Sequence, residues 1–552
     1  MRTCFWTNII KGVNMKKIIA VSLVATMALT GANAISNSEL AAKLNSLESE
    51  LADVKMKLKK QNKKINKVKA HDSGDNIKWG ADLRTSWDSI NYDLANGATA
   101  KNDGIFSLRL WLNMAYAPDS HNVFKGQLSM NKAFGADFAD PTFQASRSFG
   151  LGGGFDWLNQ EALTDTTLRV RQAYWLYLGD AAFGADIPWT FSLGRRPSTG
   201  GFLASLREDD AAQSPLGHLI NVEFDGLSSK LDLSNVTGVP GMSIKLCMGK
   251  GSSNATPNLT ATPYAASYDP VDDVDLAGFI FEPYNDGQFI VKATAYRGFG
   301  VPGQNPVADT SSGSLFLVPA NPTGNGTFTT AGDMDGAGIS VLVDGLAEDG
   351  YLADAKIFGS FAWTRSNPDS GSSMLGSSES QTGTSYWVGA QLPVDDNGVF
   401  GIEYNHGSQY WRPFTYAEDT LIGSKLATRG DAFEAYFTYQ LTDALSAQVR
   451  YTKIDYEYTG STGFFGNFSG ASNKISDIKD GAAAFTALGG QFDANGGVNL
   501  ASLQTIGQNL GASGVPGAQI PDTVQALAGA ALFAPNVVEA AQDLRIYLRY
   551  RF

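Results

Sequence analysis

The last ten residues, Asp543–Phe552 (DLRIYLRYRF), alternate without a break between two chemistries. Successive side chains of a strand point to opposite faces. One face here is Leu544, Ile546, Leu548, Tyr550 and Phe552; the other is Asp543, Arg545, Tyr547, Arg549 and Arg551. A soluble sandwich seldom sets three arginines in succession on one face. A closed membrane barrel, with lipid outside and water within, accommodates both faces.

The other end of the chain points to export. Met15-Lys16-Lys17, a short apolar run and Ala32-Asn33-Ala34 read as a secretory signal peptide over 1–34, cut after Ala34, with Met15 the expected start. Past it no apolar run is long enough for a membrane helix, which leaves a periplasmic, secreted or outer-membrane barrel protein and excludes a helical inner-membrane one. Removing the leader leaves one cysteine, Cys247, too few for a disulfide framework. Histidines 71, 121, 218 and 406 are scattered, so no metal cluster and no cofactor is expected. A formal charge of −13 argues against nucleic acid as a partner.

Between the leader and the barrel, residues 35–70 carry a heptad seam: Leu40, Leu44, Leu47, Leu51, Val54 and Leu58, then Gln61, Ile65 and Val68. That seam predicts a short parallel coiled coil in the periplasm and, through it, a homotrimer. Residues 71–76 read as a linker.

From 77 to 552 the texture is an all-β one of alternating segments, about 16 of them with 18 as the alternative. They begin near 77, 104, 122, 167, 187, 219, 240, 273, 288, 334, 351, 383, 398, 429, 444 and 541. Short connections are expected at 117–121, 180–186, 234–239, 284–287, 345–350, 395–397 and 442–443. Long ones are expected between them, ending with 459–540, which holds a helical pattern at 522–534. Regular alternation of short periplasmic and long external connections is the organisation of an outer-membrane barrel. In the segment 219–233 the apolar parity flips at Asp225-Gly226, which reads as a bulge.

The same register assigns side chains to the lumen. Lys78, Arg84, Arg109, Lys125, Arg169, Arg171, Arg196, Lys245, Lys292, Lys356, Arg450, Arg545, Arg549 and Arg551 point inward, against Asp82, Asp88, Glu223, Asp354, Glu403, Glu434 and Asp543. An acidic protein is thus expected to have a basic interior, and fixed positive charge in a narrow pore selects anions. The third external connection, 199–218, follows Arg195-Arg196 and carries Arg207, Glu208, Asp209 and Asp210. Its acidic triplet would face the arginine wall and set up a transverse field. These residues are the candidate pore lining of a passive channel for small anionic or polar solutes.

The signal peptide, the lysine-ending coil, HDSGDNIKWGADLRTS, SLGRRPSTGGFLASLREDDAAQSPLGH and the terminal aromatics together resemble an outer-membrane family of epsilonproteobacterial type, defined only as a domain of unknown function. The resemblance runs along the mature chain and implies a porin-like barrel without an assigned solute. The terminal Phe552 resembles the C-terminal signature that the barrel-assembly machinery reads in bacterial outer-membrane proteins. A third loop folded into the lumen is a feature of trimeric general porins. A coil ahead of a barrel loosely resembles trimeric carboxylate porins, with no motif to carry over.

Two other functions compete. His406 and Ser408, two apart on the lipid face, resemble the nucleophile pair of outer-membrane phospholipase A. A serine hydrolase also needs its histidine oriented by a third polar group, and the facing segment FEAYFTYQL offers no Asn or Asp on its outer face. The alternative is a structural or adhesive barrel plugged by its own loops.

Overall fold

The computed structural model describes residues 77–135, 163, 166–196, 198–253, 272–305, 327–347, 349–415, 420–461, 463, 465–466, 470–493 and 496–552. The signal peptide, the coiled coil and the linker lie outside the described residues.

Sixteen antiparallel strands close into one barrel. In chain order they are β1 (Lys78–Leu94), β2 (Thr99–Tyr116), β3 (Asn122–Ala133), β4 (Arg169–Gly179) and β5 (Trp189–Arg196). After three short strands there follow β9 (Phe224–Asp232), β10 (Ser243–Ser252), β11 (Val274–Asn285), β12 (Phe289–Asn305), β13 (Thr327–Asp344), β14 (Lys356–Pro368), β15 (Thr382–Pro393) and β16 (Gly398–Gly407). After one more short strand, β18 (Gly430–Gln440), β19 (Leu445–Tyr456) and β20 (Val538–Arg551) complete the wall. The barrel closes where β20 pairs with β19 on one side and β1 on the other. The two faces of β20 separate as read: Leu544, Ile546, Leu548 and Tyr550 are 38–53% exposed, whereas Asp543, Arg545, Tyr547 and Arg549 are 1–3% exposed, the last two meeting the folded-in third loop in place of water. An apolar, aromatic-rich exterior on a sheet without edges is the transmembrane barrel of outer-membrane type.

The turns on the side of the chain's C-terminus are tight because side-chain carboxylates cap them. Asp119 Oδ1 accepts the amides of His121 and Asn122, and Asp286 Oδ1 those of Gln288 and Phe289. These are Asx turns, in which a short acidic side chain replaces a backbone acceptor.

Three expectations are corrected here. The first external connection is only Ala95–Ala98, because β1 and β2 are 17 and 18 residues long and zip to their tips; long and short connections therefore do not alternate throughout. Asp354 lies exposed in a 3-10 turn, Tyr351–Asp354, and not in the wall. The parity flip at Asp225-Gly226 is no bulge. Residues 219–223 belong to the third loop, β9 begins at Phe224, and its pairing with β10 runs without a shift.

Two external loops return into the lumen. The third, residues 198–223, contributes β6 (Gly201–Phe202) and β7 (Gln213–Leu216), paired with each other, a 3-10 turn Leu206–Glu208, and β8 (Ile220–Asn221). The seventh, described at 408–415 and 420–429, contributes β17 (Phe414–Thr415), which pairs in parallel with β8. Leu203, Leu216, Leu219 and Val222 from the third loop meet Trp411, Phe414 and Leu426 from the seventh, and both pack on Met334, Phe358 and Trp387 of the wall. Each large apolar side chain so buried contributes roughly 1.5–3 kcal/mol. The interior is therefore not polar throughout: an apolar core fills the side lined by β11–β15. Glycines make the close approach feasible, since a Cβ on Gly383 would collide with the Trp411 backbone and one on Gly407 with the Thr428 carbonyl.

The last external connection holds helices α1 (Ile475–Ala487), α2 (Leu500–Ala512) and α3 (Ile520–Phe533). They share a core of their own, Phe485, Ile506, Leu510, Ala528 and Ala531. The helix expected at 522–534 is α3, and it packs on α1 and α2. Earlier in the same connection, Phe465 is buried against Phe414, ring centroids 5.1 Å apart, within the core of the folded-in loops.

Candidate functional site

Arg84, Arg109, Arg171, Arg450, Arg545 and Arg549 lie on β1, β2, β4, β19 and β20, and Glu208 and Asp210 of the third loop touch several of them. What the geometry adds is that nearly all of them are paired at contact distance. Glu208 lies 3.6 Å from Arg84 and 3.0 Å from Arg450, and accepts the Tyr547 hydroxyl at 2.8 Å. Asp210 meets Arg549 at 2.6 Å and Arg551 at 3.4 Å, and Asp209 meets Arg551 at 2.6 Å. The wall supplies carboxylates as well: Asp82 to Arg549 at 2.5 Å and Arg109 at 3.5 Å, and Asp88 to Arg545. Arg171 donates to Glu223 at 2.7 Å and to Gln127 at 3.1 Å. Both Arg109 and Arg171 also lie over the Trp111 ring, at 3.5 and 4.3 Å from its centroid. Arg195 contacts Glu223 at 3.6 Å and Asp225 at 3.2 Å. An arginine paired in this way is an anchor for the loop more than a free charge for a passing ion.

A second cluster joins the third and seventh loops to the adjoining strands β16, β18 and β19. Glu434 of β18, with no exposure, meets Arg207 at 3.0 Å, Lys425 at 2.5 Å and Arg450 at 4.0 Å, and accepts the Thr452 hydroxyl at 2.7 Å. Lys425 also meets Glu403 at 2.6 Å. Farther along the third loop, His218 sits fully buried between the Ser360 and Ser385 hydroxyls, each at 2.8 Å. Lys425, Arg412 and Arg429 are buried members of the interior that the register did not find. Arg412 and Arg429 are held by carbonyls, including Gly463 O at 2.9 Å and Trp411 O at 3.0 Å. The signal was present in the charge-bearing run 412–429, but nothing local shows that a long loop turns inward.

A smaller set of cations stays out of these pairs. Lys125 is exposed, Lys230 and Lys245 are direct cross-strand neighbours on β9 and β10, and Arg196 of β5 lies over the Tyr174 ring at 4.2 Å. Among the described residues none of the four has a carboxylate within ion-pair distance; Lys245 donates to the Ser214 hydroxyl of the third loop at 2.6 Å. Lys125, Lys230 and Lys245 lie toward the ends of their strands on the side of the chain's C-terminus. Arg169, at the opposite end, is half-buried and joins no ion pair among the described residues.

Between the third loop and the wall of β1–β4 and β20 there remains a cavity of about 400 Å³. It runs from Arg171 and Thr199 to Phe552 at the C-terminal rim.

On the outer face, the facing strand begins ahead of FEAYFTYQL and brings in a carboxylate from there: Asp431 of β18, paired with His406 in the register, lies 2.9 Å from His406 Nδ1 and accepts the Tyr404 hydroxyl at 2.6 Å. Ser408 Oγ instead accepts the Thr384 amide at 2.8 Å, and no hydrogen bond joins it to His406.

No curated protein sequence matches this chain. Among solved structures it is similar to OmpT, an outer membrane protein of Vibrio cholerae, at 12% identity and a TM-score of 0.38, over 86% of this chain and 97% of that one. It is similar to OmpF of Salmonella typhi at 12% identity and 0.41, over 87% and 99%, and to an anion-selective porin from Comamonas acidovorans at 10% and 0.41, over 86% and 99%. Residues 99–491, most of a closed barrel with two loops folded inside, match the family described as Protein of unknown function (DUF3373), and the chain belongs to that family.

Proposed function

We propose that this protein is an outer-membrane diffusion channel for small solutes with a preference for anions, working as a homotrimer. The single observation that carries the preference is that Lys125, Lys230, Lys245 and Arg196 have no carboxylate at ion-pair distance among the described residues, whereas the arginine wall is neutralised by carboxylates of the third loop and of the wall itself. Three of the four stand in the half of the lumen that leads to the C-terminal rim. A fixed charge with water on one side and low-dielectric protein behind it attracts counter-ions more strongly than in bulk.

The preference is measured as a reversal potential of the full-length protein in a planar bilayer under a potassium chloride gradient. Chloride is expected to be the more permeant ion. Reversing Lys125, Lys230 and Lys245 to glutamate together is expected to move the potential toward potassium. A wild-type channel that prefers potassium, or a triple variant with an unmoved potential, overturns the anion preference; absence of step conductance overturns the channel itself and favours the plugged barrel.

The His406–Asp431 pair favours a second reading, hydrolysis of lipid esters at the outer leaflet. It is the weaker one, because the serine is not in contact with its base and so has no proton acceptor. Lipid hydrolysis that disappears in Ser408→Ala would establish it.

A further inference from the structure

The cavity of about 400 Å³ beside the third loop differs in chemistry from the rest of the lumen, and we propose that it is a binding site for an uncharged, polyhydroxylated solute of mono- to disaccharide size. The proposal rests on the channel reading and goes beyond its ion preference, naming a neutral solute that the same lumen would hold.

The first argument is charge. Every ionised side chain on the cavity wall is already paired: Asp82 and Asp210 with Arg549 at 2.5 and 2.6 Å, Arg551 with Asp209 and Asp210, and Arg171 with Glu223. A charged solute seated here would have to compete with one of these pairs, and opening either of the buried ones, Arg549–Asp82 or Arg171–Glu223, leaves one charge uncompensated. A neutral solute meets no such competition.

The second argument is hydrogen-bonding capacity. Asn113, Gln172 and Gln213 also line the cavity, each with reach into it. Among the described residues, the Gln213 side chain makes no hydrogen bond. Asn113 spends only its carbonyl, on Gln127 at 2.7 Å, and Gln172 only its amino group, on Gln127 at 3.5 Å. The cavity therefore offers unspent amide donors and unspent amide acceptors together. Hydroxyl groups, which donate and accept at one atom, satisfy such a mixed set. The carboxylate of an organic anion accepts only and would leave the free carbonyls unmatched.

The third argument is size. At about 30 Å³ per water the cavity holds roughly 13 waters, and small-molecule sites span roughly 300–1,000 Å³. That suits one or two sugar rings. The paired arginines hold the cavity open by fixing the third loop at both ends of the site.

The test uses the purified full-length protein in detergent and does not require conduction. Saturation-transfer NMR is recorded with glucose, sucrose and, as the charged analogue, gluconate. Glucose or sucrose is expected to show saturable transfer that weakens at least tenfold in Asn113→Ala/Gln213→Ala, and gluconate is expected to show none. Gln172→Ala, checked for a heat-modifiable folded barrel, is the second variant and is expected to weaken transfer as well. Saturable gluconate binding equal to that of glucose, no saturable sugar binding, or sugar binding unchanged in both variants overturns the proposal. Conductance is measured separately. A conducting channel without sugar binding refutes this site and leaves the channel; sugar binding without conductance does the reverse.

Discussion

Glu434→Gln is the substitution that most sharply tests how the interior is held. The carboxylate stands 2.5 Å from Lys425, 3.0 Å from Arg207 and 4.0 Å from Arg450. With an effective dielectric of about 20, these three contacts carry a gross attraction of roughly 16 kcal/mol. Most of it is offset by the cost of taking four charged groups out of water, and breaking a buried pair costs about 3–5 kcal/mol net. Glu403 and Glu208 remain to share the three cations, at 2.6 Å from Lys425 and 3.0 Å from Arg450, so the lower end applies. A loss of about 3 kcal/mol, confined to the local opening of the two folded-in loops, speeds exchange of their amides roughly 150-fold, at 1.36 kcal/mol per factor of ten. Hydrogen exchange followed by mass spectrometry reads this on peptides covering 198–223 and 420–429, with strands β1–β3 as the unchanged reference. The same opening is expected to raise single-channel conductance and its noise. Unchanged protection of both loops would refute the reasoning, because it would mean that the apolar core alone holds them.

Other expectations follow from the same geometry. Arg109→Glu is expected to lower the yield of folded barrel more than it changes ion selectivity, because it sets a carboxylate beside Asp82 over Trp111; normal yield with reversed selectivity would contradict this. The selectivity change in the Lys125, Lys230 and Lys245 reversal is expected to be larger at 0.01 M than at 1 M salt, as the Debye length falls from about 30 to about 3 Å. Deleting Phe552 removes two backbone hydrogen bonds to Ala81, at 3.1 and 3.0 Å, and a side chain 75% exposed. Refolding into detergent is thus expected to change by only about 1 kcal/mol per bond, while outer-membrane levels in cells fall strongly; equal losses in both assays would remove the case for a recognition signal. Removing residues 36–70 is expected to reduce the oligomer measured by light scattering, and an unchanged size would place the subunit contacts in the barrel wall.

The alternation of β20 was legible by itself because each side chain answers to its own solvent: Leu548 must meet lipid and Arg549 must not, whatever lies elsewhere in the chain. That local rule yields the strands, their inward faces and the closed sheet. It also placed the acidic triplet of the third loop opposite the arginines. It could not show that Arg207 would lie 3.0 Å from Glu434, 227 positions away, since that contact depends on the barrel's closure and on a loop's path across it. Nor could it separate Leu219, Ile220 and Val222 from the strand that follows, because a side chain buried in a lumenal core and one facing lipid are equally apolar. The same ambiguity hid the seventh loop, whose Trp411, Phe414 and Leu426 lack a period and acquire a role only when the third loop lies beside them. Which cations stay unpaired is decided last of all. A register says which way Lys230 and Arg84 point, but only the folded third loop brings Glu208 to one of them and leaves the other with none.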